Sequence, residues 1–267
     1  MPLLPANQPP LMHFPPAALL PYGELAGDAG PGPSPQARAS NASFRLFYGA
    51  VPPTLSIRDQ VAVAVAERIL DRRLAPGSRI REQALADEFD VSKAPVSEAM
   101  MLLGHAGLVS ASAHRGTTVT LLSVGDLDEL VEHRGALARS FVPGYVREHR
   151  REDEAVLLKL HDQMSTLAPL DAHAFDVAEL ADRGALYLAL RAGNGRIARA
   201  ASLLSLQWLR YLQIGAATLR QRRALVQAWG ELTRLLAARE ADRALAHFEL
   251  TVHQRLEDIR QAVREVA

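Results

Sequence analysis

One stretch, residues 79–121, constrains the fold of this chain more than any other. It predicts a short helix, a tight turn, a second helix and then two β-prone runs around a glycine. Ala86 is small enough for the second helix to cross closely, and Asp90, four residues later, suits a left-handed turn. Ser92 can cap the second helix through its hydroxyl, and Pro95 is tolerated inside the first turn. This is the layout of a helix-turn-helix, whose second helix presents its N-terminal residues to the DNA major groove.

Two β-prone runs follow the second helix and frame a turn. Gly107 ends the helix, and the turn between the runs carries His114, Arg115 and Gly116. A hairpin with a basic tip is a wing, which can reach a phosphate or the minor groove. Two amphipathic helices with a short turn occur in most helical domains. The wing is therefore the feature that favours a DNA-binding domain over an ordinary pair of helices.

Several blocks of this region keep the spacing of a known DNA-binding domain. They are residues 76–80, 85–86, 91–100, 107–109 and 115–117. Together they make residues 56–121 resemble the winged-helix domain of GntR-family regulators. The resemblance and the helix-turn-helix layout imply DNA contacts from the following positions: Arg79, Arg81, Ser92, Lys93, Ala94, Pro95, Ser97, His114, Arg115, Gly116 and Thr117.

Two of these positions depart from the family pattern. The family usually has Arg where this chain has Lys93, and again where it has Ser97. Arg can grip guanine or phosphate with two parallel hydrogen bonds, whereas Lys is a single point charge. Ser97 can bond a phosphate but carries no charge. These differences bear on which DNA sequence is recognised.

The composition restricts the classes of protein that fit. Lys+Arg and Asp+Glu both number 30, so a DNA-binding surface requires that charge be segregated onto one basic face. The chain has no cysteine, which excludes disulfides, thiol catalysis and thiolate zinc sites, and is consistent with the cytoplasm. No run of 18 apolar residues predicts a membrane span.

The chain divides into three predicted regions. Residues 1–53 contain 12 of the 16 prolines and predict a disordered or extended tail. Residues 54–121 form the predicted winged helix-turn-helix, whose first helix starts at the cap Ser56 and Asp59 and ends near Leu74. Residues 122–267 predict an all-α bundle of six amphipathic helices, near 124–149, 152–167, 172–191, 196–217, 221–239 and 242–265. The expected fold class is mainly α.

The bundle carries a second, weaker resemblance. Leu127, Leu130, Arg134 and Leu137 have the spacing of the helix that opens the ligand-binding, FCD-type half of the FadR-like GntR branch. Six helices are nearer to its VanR-like group. The resemblance implies a homodimer and a small organic-acid or sugar-acid effector, and it makes Asn194 a second effector-binding candidate. Arg134 on a core-facing helix needs an anionic partner, and a ligand and a structural salt bridge are equal alternatives.

The same branch often holds a divalent metal between an Asp-x-x-x-His pair and two later histidines. In this chain Ala185 stands at the first His position, which leaves Asp182, Glu231 and His253 as candidate ligands. Three imperfect ligands make a poor site. We therefore expect these side chains to face the bundle interior near Arg134, with no cofactor required and a divalent metal as an option.

No motif predicts catalysis. The chain has no Gly-rich phosphate loop, no nucleophile elbow and no paired-carboxylate motif, so we name no catalytic residue and expect no enzyme. We expect a ligand-responsive regulator whose dimer binds an inverted-repeat operator in double-stranded DNA. The family resemblance implies that such a regulator is usually a repressor. A small carboxylate effector would modulate that binding. The alternatives are a metal-dependent helical-bundle enzyme and a helical adaptor that has lost DNA binding.

Overall fold

A computed structural model of the protein describes residues 55–112 and 116–266. The predictions for the tail at 1–53 and for His114 and Arg115 at the wing tip lie outside the described residues. Within the described residues, no helix is long and apolar enough to cross a membrane.

The first part of the described chain is a winged helix-turn-helix. Its elements are α1 (Ile57–Leu70), α2 (Glu82–Glu88), α3 (Lys93–His105), β1 (Val109–Ser112) and β2 (Gly116–Val119). The Ser56 hydroxyl caps α1 by accepting the Asp59 N–H at 3.2 Å, as the sequence predicts. The helix ends four residues before the predicted Leu74, because Arg72 adopts a left-handed conformation with φ of 63°.

The turn and the hairpin have the predicted geometry. Asp90 occupies the left-handed region with φ of 51°, and the Val91 N–H closes the turn by donating to the Ala86 carbonyl at 3.0 Å. Strands β1 and β2 are antiparallel, with Val109 opposite Val119. The segment 77–80 adds a short third edge, since its backbone also pairs with β2.

The second part is a bundle of helices. They are α4 (Val124–Glu148), α5 (Arg151–Leu167), α6 (Ala174–Arg191), α7 (Gly195–Leu212), α8 (Leu219–Ala237) and α9 (Ala241–Val266), with 3-10 turns at Asp171–His173 and Ile214–Ala216. The predicted fold class, a winged helix-turn-helix followed by an all-α bundle, is confirmed. The fourth predicted helix was too long, because α7 stops at Leu212 and a 3-10 turn follows.

Helix α6 is the centre of the bundle. It packs against α4, α5, α7 and α8, and every side chain from Asp176 to Ala189 is buried. Its Glu179 and Arg183 form a fully buried ion pair at 3.0 Å. Gly184 permits the close approach of α8, because a Cβ there would lie 2.5 Å from the ring of Trp229. The central helix therefore holds the walls of the interior in fixed positions.

Candidate DNA-binding surface and effector cavity

The N-terminus of α3 is exposed, as a recognition helix requires. Ser92, Lys93 and Ala94 are exposed, and Pro95 is half-buried in the first turn. The predicted hydroxyl cap was wrong: Ser92 has cap backbone geometry, but its side chain forms no cap hydrogen bond. A Ser cap commonly accepts the N–H of the third helical residue, and that residue is Pro95, which has none. The first N–H groups of α3 are thus left to solvent or to a phosphate.

Glu82, at the start of α2, links the recognition helix to the wing. Its carboxylate accepts hydrogen bonds from the hydroxyls of Ser97 on α3 and Thr117 on β2, both at 2.7 Å. Thr117 is only 5% exposed. The hydroxyls of Ser97 and Thr117 thus fix the wing against α3, and the DNA contacts predicted for these two residues remain predictions. No motif singled out Glu82, since its role depends on three elements that meet only in the fold.

The hydrogen bonds to Glu82 predict a pH-dependent stability. The Ser97 hydrogen bond above all, then that of Thr117 and the charge of Lys93, lower the pKa of the Glu82 carboxyl, although burial raises it. A carboxyl whose pKa is lowered by folding stabilises the fold at pH values above its unfolded pKa of about 4.3. This stabilisation is lost as the pH falls through the pKa of the folded state. Glu82→Gln should lower the free energy of unfolding by about 1–2 kcal/mol at neutral pH.

Denaturant titrations across a pH series measure this effect. The difference between Glu82→Gln and the wild type should shrink as the pH drops below about 4. Glu98→Gln, a change to an exposed carboxylate on α3, is the matched control and should have little effect at any pH. A difference that stays constant down to acidic pH would refute this role for the Glu82 charge.

Exposed cations without an ion-pair partner among the described residues lie near this junction. Residues 57–119 contain eight basic and eight acidic side chains. Three of the arginines are neutralised in the pairs Arg58–Asp59, Arg68–Glu88 and Arg73–Asp71. Arg79, Arg81 and Lys93 are exposed and form no ion pair within the part of the chain that the structure describes. The Arg79 guanidinium lies beside Gly116 at the start of β2, so the three cations border the wing and α3.

Helix α7 joins the winged domain to the bundle. Its buried Arg210 donates to the Thr120 hydroxyl at 2.6 Å and to the Thr120 carbonyl at 2.5 Å. Its C-cap Gln213 donates to the Leu70 carbonyl at the end of α1 at 3.2 Å. The side chain of Gln207 packs over Gly107, whose positive φ of 71° and lack of a Cβ both suit this contact. One side of α7 thus contacts the ends of α1 and α3 and the segment after β2.

The inner side of α7 borders a cavity. This cavity has about 450 Å³ of space not filled by protein, part of it open to solvent, between α4, α6, α7, α8 and α9. Its charged and titratable lining residues are Arg134, Asp182, His247 and Arg255. Arg134 pairs with Asp182 at 3.4 Å and stacks over Trp208 with its guanidinium carbon 4.9 Å from the ring centre. Asp182 also accepts a hydrogen bond from Ser205 of α7.

The two predicted effector-binding residues have different positions. Arg134 lies in the cavity wall and forms a salt bridge with Asp182. A structural salt bridge was one of the two partners predicted for it, the other being a ligand. Asn194 is exposed and is not part of this wall. Its side-chain oxygen caps α7 by accepting the N–H groups of Arg196 and Ile197 at 3.1 and 3.2 Å. The effector assignment of Asn194 is therefore replaced by a capping role.

The three predicted metal ligands do not come together. Asp182 is buried, but Glu231 pairs with Arg234 at the surface and His253 is exposed, with its ring bonded to the Glu249 carbonyl at 2.9 Å. The expectation that all three face the interior is wrong for Glu231 and His253. The described ranges contain no group of three His, Cys, Asp or Glu residues that could hold a metal.

Three cavity residues were missed by the sequence reasoning. His247, Thr251 and Arg255 follow each other at intervals of four, and all three line the cavity. Residues spaced by four share a helix face, so this pattern is a signal that the sequence does contain. His253 is six positions after His247 and is turned away from that face. The family spacing had made His253 a candidate metal ligand inside the bundle. In the structure it is His247, not His253, that lies on the helix face lining the cavity.

The comparison with family models decides the identity of the winged part. Residues 57–119 match the model described as bacterial regulatory proteins, gntR family. The chain carries a GntR-family DNA-binding domain. This GntR domain covers α1 to β2 and contains the recognition helix, the Glu82 junction and the exposed cations Arg79, Arg81 and Lys93. The predicted resemblance is confirmed at this level.

Relatives with curated names agree with this assignment. An uncharacterized HTH-type transcriptional regulator of Bacillus subtilis, YdhC, is 36% identical over 91 residues, which cover 34% of this chain and 41% of that protein. The match thus spans less than half the length of the Bacillus protein. Another, BphR of Paraburkholderia xenovorans, is 29% identical over 198 residues, or 72% of this chain and 81% of the relative. Both relatives are named HTH-type transcriptional regulators, which agrees with the gntR match of residues 57–119.

Solved structures share the complete fold. McbR/YncC of E. coli superposes with a TM-score of 0.67 and 19% identity, covering 78% of this chain and 99% of that one. A GntR transcriptional regulator of Rhodococcus sp. RHA1 superposes with a TM-score of 0.64 and 21% identity, covering 80% and 100%. At this level of identity the likeness concerns the fold, which extends through both the GntR domain and the helical bundle.

Proposed function

We propose that this protein is a ligand-responsive, sequence-specific transcription regulator, and that a small organic acid in the bundle cavity changes its affinity for DNA. One observation carries the proposal. Helix α7 supplies Trp208 and Leu212 to the cavity wall and, from its other side, Arg210 to Thr120 in the segment that follows the GntR domain. A ligand that shifts α7 therefore changes the support of the recognition helix, which is the condition for a coupling free energy between two sites.

The proposal also concerns the oligomeric state of the protein and its branch of the GntR family. We place the bundle in the FadR-like branch with an FCD-type domain, on the basis of the long opening helix α4 and the central cavity beside Arg134. A homodimer would set two recognition helices on an inverted repeat, since operator symmetry mirrors protein symmetry. Repression released by the effector is the proposed direction of control. The site needs no metal in this account.

DNA binding by α3 is tested with a lysine variant. Lys93→Ala should weaken binding to specific and nonspecific duplexes alike, and lower the slope of log affinity against log salt by about one. The reason is that Lys93 lies exposed in the first turn of α3, where helix dipole and side chain both favour a phosphate. Fluorescence anisotropy in a salt series provides the measurement.

The chain offers a matched control for this experiment. Lys159 is an exposed lysine in the middle of α5, away from the GntR domain, and Lys159→Ala should leave both affinity and salt slope unchanged. If Lys93→Ala behaves like this control, the recognition helix is wrongly assigned. If the wild type itself fails to bind duplexes from its own promoter region, an adaptor without DNA binding becomes the better interpretation.

A further inference from the structure

We infer that the bundle cavity binds a small apolar monocarboxylate, and that Arg255 of α9 receives the carboxylate group. This inference rests on the proposed function and names the chemistry of its effector. It also replaces the role that the sequence assigned to Arg134, because Arg134 already has a protein partner.

Of the two arginines in the cavity wall, one has an ion-pair partner among the described residues and the other does not. Arg134 is paired with Asp182, and Asp182 accepts a further hydrogen bond from Ser205. Arg255 lines the same cavity and forms no ion pair with any residue that the structure describes. The cavity therefore has one cation in excess of its acids, which is the charge that a single carboxylate would balance.

Partial burial makes this excess charge costly. Loss of hydration lowers the pKa of the Arg255 guanidinium from 12.5 to about 10, and no neighbouring acid offsets this effect. The side chain is still protonated at neutral pH. An anion that binds to a poorly hydrated, unpaired guanidinium gives a larger favourable interaction energy than one that binds to a solvated guanidinium. Its planar fork can also bind a carboxylate through two parallel hydrogen bonds.

The remaining wall selects an apolar body for the ligand. It is formed mainly by aromatic and aliphatic side chains: Trp208, Leu212, Leu225, Trp229, Leu232, Phe248 and Val252. Such a wall offers few partners for the hydroxyl groups of a sugar acid, and buried hydroxyls without partners are unfavourable. The cavity is narrow and partly open to solvent, which restricts it to a small ligand. A ring or a short chain with one carboxylate fits these conditions.

His247 adds a polar group but no competing acid. Its Nε2–H donates to the Ala228 carbonyl at 2.9 Å, because that carbonyl can only accept. Apart from Asp182, which Arg134 neutralises, the charged lining of this cavity is cationic. Asp182 is thus neutralised by Arg134, and an anionic ligand in this cavity meets no uncompensated negative charge from the lining residues.

The two tryptophans of the chain provide the readout. Both Trp208 and Trp229 line the cavity, so intrinsic fluorescence of the full-length protein reports its occupancy. The probes are phenylacetate, its uncharged analogue phenylacetamide, and the polar acid gluconate. We expect a saturable change with phenylacetate, an affinity for the amide that is weaker by about tenfold or more, and no binding of gluconate.

Variants then test the role of Arg255. Arg255→Gln should weaken the affinity for phenylacetate by about ten- to a hundredfold. It should change the affinity for phenylacetamide by less than about threefold. Arg255→Lys keeps the charge and should restore part of the phenylacetate affinity. Arg243→Gln, at an exposed position near the start of α9, is the matched control and should behave as wild type. Circular dichroism shows whether each variant is folded.

Three results would overturn the inference. They are equal affinities for phenylacetate and phenylacetamide, tighter binding of gluconate than of phenylacetate, and absence of any saturable change with millimolar phenylacetate. If Arg255→Gln does not fold, the affinities of the wild type for phenylacetate and phenylacetamide still show whether the carboxylate group contributes to binding. DNA affinity without ligand is measured separately, so failure of the cavity chemistry is distinguished from failure of the proposed function.

Discussion

Arg222→Ala should lower the free energy of unfolding by about 3–5 kcal/mol, a larger effect on stability than any other change considered for this protein. The Arg222 side chain is fully buried, and it donates to the carbonyls of Ala168 and Ala217, both at 2.8 Å. It also pairs with Asp171 in the turn before α6. Its removal leaves buried carbonyl oxygens without donors and creates a cavity, and both effects destabilise.

The neighbouring residue is the control for this experiment. Arg223 is exposed, and Arg223→Ala should change the free energy of unfolding by no more than about 0.5 kcal/mol. Urea denaturation followed by far-UV circular dichroism compares the two variants under identical conditions. Similar losses in both would show that Arg222 does not hold the ends of α5 and α8 together as described.

Arg210→Ala should uncouple the cavity from DNA binding. Coupling free energies in regulators correspond to affinity changes of roughly 5- to 150-fold, and we expect the effect of phenylacetate on DNA affinity to fall below about twofold in this variant. The physical reason is that Arg210 holds Thr120, whose hydroxyl in turn donates to the Gly107 carbonyl after α3 at 2.9 Å. Without Arg210, a shift of α7 is no longer transmitted to the recognition helix.

Two measurements distinguish uncoupling from damage to the cavity. Tryptophan fluorescence should show phenylacetate affinity within about threefold of wild type, because Arg210 does not line the cavity. DNA anisotropy with and without phenylacetate gives the coupling. Arg196→Ala, at the exposed start of α7, is the control and should retain the full response. A full response in Arg210→Ala would mean that the two sites communicate by another route.

Much of the fold was predictable because local signals and the hydrophobic pattern agreed. Ser56 caps α1, Asp90 adopts the left-handed turn and Gly107 ends α3, each for a reason visible in a few neighbouring residues. The bundle helices began and ended near predicted breaks such as the glycines around Asn194. Capping and turn chemistry act over three or four residues, so sequence alone can identify them.

The candidate sites were less predictable because their partners are distant in sequence. Glu82 contacts Thr117 from 35 positions away, and Arg134 contacts Asp182 from 48. Ser97 was therefore assigned to DNA although its hydroxyl faces Glu82. The metal prediction relied on family spacing for Glu231 and His253, which the helix phases of α8 and α9 place at the surface. Arg255 was overlooked because its spacing from His247 and Thr251 shows a shared helix face but not that this face lines a cavity.

Hydroxyl-radical footprinting of the DNA upstream of the protein's own gene tests the central claim most directly. The account predicts two protected half-sites related by an inverted repeat, because a two-fold dimer places one α3 in each major groove. Added phenylacetate should raise the protein concentration needed for this protection. Uniform cleavage at every protein concentration in low salt would contradict a DNA-binding regulator. Protection that phenylacetate leaves unchanged would contradict the proposed effector chemistry.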